Sequence, residues 1–170
     1  MRQNEASTVT PATVRRCREG EWSEVRRLHI LMALGVPLAV DVELNDVFAT
    51  PESHWRRFTS SCVEGKDQVL FVADFEHACV GMGHVRIDHD LARLAMLYVN
   101  EAERRHGIGS ALLTAQEQWA RDAGVHDLVG HIPDTSAATT LAERFGWQRT
   151  EELYTAKNRL VERRWTKHLT

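Results

Sequence analysis

The segment from Leu91 to Ile132 constrains this chain more than any other. An apolar run, Leu91 to Val99, passes into a basic loop that turns on Gly107 and Gly109. The strongest helical pattern in the chain follows, Gly107 to Ala123, with Ile108, Leu112, Ala115, Trp119 and Ala123 along one face. Gly124 stops that helix, and Leu128 to Ile132 reads as a second strand. A strand–helix–strand crossover of this kind belongs to a mixed α/β fold.

The flanking sequence agrees. Val14 to Cys17 is a short strand and Glu21 to Leu34 a helix, with Trp22, Val25 and Leu28 at helical spacing. Leu38 to Ala49 has no clear period and reads as a loop with a short helical turn. Thr50-Pro51-Glu52 is a helix start, with Thr50 expected as cap and Pro51 in the first turn, and the helix runs to Gly65. Val69 to Phe75, Ala78 to Ile87 and Leu91 to Val99 form an antiparallel meander with turns at Glu76-His77 and Asp88-His89-Asp90. Beyond the crossover come a helix from Thr135 to Phe145 and two closing strands, Trp147 to Thr155 and Leu160 to His168. Residues 1–11 read as a disordered leader and residues 12–170 as a single domain, which suits a chain of 170 residues.

Composition removes several classes. A net charge of -3 offers no global basic field for nucleic acid. The cysteines, Cys17, Cys62 and Cys79, are odd in number and widely spaced, which points to a reducing, cytoplasmic setting. The longest apolar stretch, Ile30 to Val40, is too short to span a bilayer. His84, Asp88, His89 and Asp90 cluster but straddle a turn and lack a known ligand spacing, so no metal is expected.

The chemistry lies in the loop Asn100 to Ser110. Amides at a helix start are unpaired by geometry, and the helix dipole adds positive potential there. Glycines let an anion approach the backbone, and Arg104, Arg105 and His106 add charge. The residues describe a phosphate or pyrophosphate cradle. The same pair of glycines also suits a packed helix start with no ligand. Neither a Walker loop nor a full dinucleotide fingerprint is present, since Leu112 replaces the third glycine.

Arg104-x-x-Gly107-x-Gly109, between an apolar strand and an amphipathic helix, resembles the acyl-CoA signature of the GCN5-related N-acetyltransferases (GNAT). Ala138-x-x-Leu141-Ala142-Glu143-Arg144-Phe145-Gly146-Trp147 resembles that family's second signature, in the right order and spacing. The resemblance implies a mixed sheet of six to seven strands with about four flanking helices. It implies that strands Leu91–Val99 and Leu128–Ile132 run parallel and splay apart, with the acyl-pantetheine arm in the gap. Acetyl-CoA would then be held along Leu97, Tyr98 and Val99, and by Arg104, Arg105, His106, Gly107, Ile108, Gly109 and Ser110.

The sequence departs from that family where catalysis is concerned. The position of the usual basic glutamate is Arg93, which cannot accept a proton at neutral pH. The usual acidic tyrosine is replaced by Ala142, and the asparagine before it by Thr135. His131, at the end of the strand bordering the acyl group, is the candidate base, and Tyr154 the candidate acid. Arg93 would bind an anionic group of the acceptor, or simply be a solvated strand arginine. Asp41, Glu43 and Asp46 fall where this family builds acceptor pockets, and would receive a cationic substrate or simply be solvated.

The expected activity moves an acetyl group from acetyl-CoA to the amine of a small-molecule acceptor, a metabolite or antibiotic, by direct attack in a ternary complex. A peptide amino terminus or lysine is the next acceptor. Two alternatives keep the fold: a carrier-protein or aminoacyl-tRNA donor, the one route by which nucleic acid enters, and a non-catalytic acyl-CoA sensor. A homodimer is compatible with the family, and no interface is named by the residues.

Overall fold

The computed structural model describes residues 11–35, 44–134, 137–155 and 161–170. The leader expected over residues 1–11 lies outside them but for Pro11, as do Asp41, Glu43 and Thr135. The elements are β1 (Thr13–Arg16), α1 (Trp22–Gly35), α2 (Leu44–Ala49), α3 (Glu52–Glu64), β2 (Gln68–Phe75), β3 (Ala78–Asp88), β4 (Leu91–Val99), α4 (Ile108–Asp122), β5 (Asp127–Pro133), α5 (Ala137–Arg144), β6 (Gln148–Thr155) and β7 (Val161–His168). The sheet has seven strands in the order β1-β2-β3-β4-β5-β7-β6, and β4 and β5 are its parallel pair.

Two apolar clusters sandwich the sheet. Val69, Val85, Ala92, Leu128 and Trp165 pack with Ile108, Leu112, Trp119 and Ala120 of α4 and Ala142 of α5. Leu70, Val72, Met82 and Tyr98 pack on the other face with Val25, Leu28, Trp55 and Cys62 of α1 and α3. Strand alternation sends neighbouring side chains to opposite clusters, and burial of each large one contributes about 1.5–3 kcal/mol. α4 is held by more than apolar contact. Its buried Gln116 donates to the His84 carbonyl at 2.9 Å, and its Glu117 accepts from Trp147 Nε1 and Lys167 Nζ at 2.8 and 2.7 Å.

One local expectation fails. Thr50 does not cap α3. Pro51 takes the N-cap position, with no side-chain cap, and Thr50 Oγ1 donates back to the Asp46 carbonyl at the end of α2. The short helix α2 precedes it so closely that its exposed carbonyls claim the hydroxyl first.

Candidate active site

The centre of the sheet is parted. β4 and β5 pair from Leu91↔Asp127 to Leu94↔Gly130 and no further. Met96 lies in the left-handed region (φ 55), and the β3–β4 register breaks between Met82 and His84. This bulge bends the end of β4. On its other edge β5 pairs with β7 along its whole length, from Asp127↔His168 to Pro133↔Glu162, so His131 to Pro133 stay in the sheet where β4 has left it. Among the described residues, the β4 edge from Ala95 to Val99 has no strand partner on that side. An extended chain carrying amides could lie along it and exchange main-chain hydrogen bonds.

The open edge leads to the glycine loop. Gly107 has φ 76 and Arg105 φ 69, with His106 at negative φ between them. Such alternation turns successive N–H groups into one concavity. The first main-chain bond of α4 is Ala111 N–H to the Gly107 carbonyl at 3.0 Å. Among the described residues, the amides from Arg105 to Ser110 have no main-chain acceptor. The left-handed turn at Gly107 is where the motif requires glycine. Gly109 is different: a side chain there would sit 3.6 Å from Leu141 and 3.9 Å from Val99, in ordinary packing contact.

Two of the basic side chains serve the loop itself. Arg104 Nε donates to the Val99 carbonyl at 3.1 Å, and His106 Nδ1 lies 3.0 Å from the Glu103 carbonyl. Arg105 is exposed. Tyr98 does not face the gap with its side chain. It is buried in the α1–α3 cluster, where burial raises its phenol pKa, so only its main chain can border a ligand. Leu97 and Val99 pack toward α4. Ala142 is buried in the core and brings no hydroxyl.

The structure brings His131 and Tyr154 together across β5, β7 and β6. Their rings lie 5.3 Å apart at 43°. Both are exposed, on the sheet face that carries α1–α3 elsewhere. Partial burial lowers the His131 pKa, and the cations of Arg164 and Arg93 push it the same way, against Glu152. The imidazole is therefore neutral at neutral pH and able to accept a proton. Arg93 lies on this face too, half exposed, its Nε 3.8 Å from Asp88. His84, the weaker histidine candidate, is buried under Phe58 and bonded to Gln68 at 3.0 Å, with its pKa pushed down to about 4 by burial. No metal-binding group of three or more ligands occurs among the described residues.

Sequence reasoning missed Arg164, which the β5–β7 register sets opposite His131. Nothing local to Glu162-Arg163-Arg164 signals this, because strand pairing alone decides it.

A parted parallel pair leads into a concave run of amides with no main-chain acceptor among the described residues, a geometry that can take an extended amide-bearing chain ending in phosphate. The sequence matches the model of the Acetyltransferase (GNAT) family over residues 39–147, so the chain belongs to the GNAT acetyltransferase family and is an acyltransferase. No curated protein matches it in sequence. Solved structures share the fold. YncA of Salmonella typhimurium, with its cofactor acetyl-CoA, has a TM-score of 0.78 at 16% identity over 95% of each chain. A phosphinothricin acetyltransferase from Sinorhizobium meliloti, in complex with acetyl-CoA, gives 0.77 at 17% over 94% of this chain and 89% of that one. A ribosomal-protein-alanine N-acetyltransferase from Brucella melitensis gives 0.71 at 22% over 92% and 99%.

Proposed function

We propose that this chain transfers the acetyl group of acetyl-CoA to a primary amine on a small molecule, by direct attack within a ternary complex. The observation that carries it is the parted β4–β5 edge running into the unpaired amides of Arg105 to Ser110. The edge suits the amide-bearing pantetheine arm and the amides suit the pyrophosphate. Acetyl-CoA supplies an activated thioester whose leaving thiol has a pKa of only about 8.5.

His131 takes the proton that the acceptor nitrogen must lose before or as it attacks the thioester carbon. Its lowered pKa keeps it in the receptive form. As the carbon–sulfur bond breaks, Tyr154, whose ring contacts that of His131, gives a proton to the thiolate. With Ala142 in the core and Arg93 cationic, this pair stands in for the usual base and acid. The structural relatives that act on phosphinothricin and on a ribosomal protein illustrate two acceptor classes.

Thiol release from acetyl-CoA, measured against a panel of amines beside a melting curve with CoA, tests the reading. At about 100 times its Kd, CoA should stabilise the fold by about 2.7 kcal/mol. Stabilisation with amine-dependent thiol release is the expected result. Stabilisation with no turnover for any amine would indicate an acyl-CoA sensor. No stabilisation would reject free CoA esters and redirect the search to carrier-protein or tRNA donors.

A further inference from the structure

We infer that the acceptor is an anionic amine, its carboxylate or phosphonate held by Arg93 and Arg164 on the open face of the sheet. The inference rests on the transferase reading for the amine and stands on separate observations for the anion. Register places Arg86 of β3 directly opposite Arg93 of β4, Arg93 opposite Val129 of β5, and His131 opposite Arg164 of β7. Alternation puts Arg86, Arg93, His131 and Arg164 on one face, together with Asp88 of β3 and Glu162 of β7. Like charges directly opposite across a strand pair destabilise it. Neither Arg86 nor Arg93 makes a hydrogen bond among the described residues, and Arg93 reaches Asp88 only at 3.8 Å. Arg164 pairs with the exposed Glu152 at 2.7 Å through Nη1, while its Nε is buried with no partner.

A row of guanidiniums beside the candidate base selects the acceptor in two ways. Asp88 and Glu152 offset part of this charge, and the remainder repels a bare ammonium, which disfavours simple alkylamines and polycations. An acceptor with its own carboxylate or phosphonate cancels that repulsion and gains charge-assisted, fork-like hydrogen bonds. The same cations lower the pKa of the bound amine and leave more of it in the nucleophilic form. The position that usually carries a base thus recognises substrate, and base duty moves one strand over to His131.

The test uses matched products, so it does not depend on turnover. N-acetylated α-amino acids and N-acetylated aminoalkylphosphonates are titrated calorimetrically into the CoA-bound protein, each beside its uncharged amide or ester twin. The expected result is binding of the anionic member at least about tenfold tighter, as one charge-assisted hydrogen bond supplies. Arg93→Gln should remove most of that preference. Arg93→Glu should reverse it toward acetylated diamines, which loss of structure alone cannot do. Equal binding of the twins, or none by either, overturns the inference. Selective binding of anions with no acetyl transfer to any amine would leave the anion site standing and reject the transferase reading instead.

Discussion

In the proposed reaction His131 is the base, and its surroundings make a pH prediction with a definite sign. Burial, Arg164 and Arg93 all lower its pKa. The active form is the neutral one, so kcat/KM should rise with pH through a value below the ordinary histidine range and then stay level. Arg93→Gln removes one of the opposing cations and should move that inflexion to higher pH. His131→Ala should lower kcat by about 10²–10⁴ and abolish the acid limb. A pH–rate profile of the three proteins checks this, and an unmoved inflexion in Arg93→Gln would separate the two groups. In the sequence Tyr154 was a candidate acid on the strand after the second signature, with nothing to set it beside His131. Its contact with His131 comes from pairing of β6 with β7 and β7 with β5, which no local pattern records.

At the scale of elements, α4 and its approach from β4 do most to build the site. Gly83 matters as much as the glycines of the loop. A side chain there would come 2.8 Å from Gln116 Cδ, and Gln116 is fully buried with its amide committed to the His84 carbonyl. A methyl group there would collide with the Gln116 side-chain amide, which its bond to the His84 carbonyl holds in place. Gly83→Ala should cost about 1–3 kcal/mol by overpacking. For a chain of this size that is a fall of several degrees in Tm, and the displaced helix start should also raise KM for acetyl-CoA. Melting curves and steady-state kinetics on the variant read both. Gly109→Ala makes a useful contrast, because its new methyl meets only Leu141 and Val99 at packing distance.

Across the whole molecule, burial of histidines sets how stability depends on pH. His29 lies in the α1–α3 interface against Trp55, at 5.0 Å between ring centroids, and His84 lies beneath Phe58. Burial pushes both pKa values down from 6.5 to about 4. Between those values the unfolded chain binds more protons than the folded one, so stability rises with pH across that window. Stability should be complete above about pH 6.5 and should fall as the pH is lowered toward 4. Thermal melts across this range should show the loss, and His84→Gln should flatten part of it. No helix among the described residues is long and apolar enough to cross a membrane.

The sequence by itself determined the element order, the crossover, the amphipathic face of α4 and the loop that opens it. These rest on periodicity, glycine placement and charge within a few residues of each other, and local spacing survives folding unchanged. It also showed that the usual base and acid were missing at Arg93 and Ala142. Tertiary structure decided which side chains the proposed reaction has in their place. The bulge at Met96 parts β4 from β5, and the β5–β7–β6 registers bring His131, Arg164 and Tyr154 to one face. Thr50 likewise turned on the proximity of α2. Each depends on which distant residues stand opposite each other. A one-residue change of register would send these side chains to the other face, and that choice is made by the packing of the whole sheet.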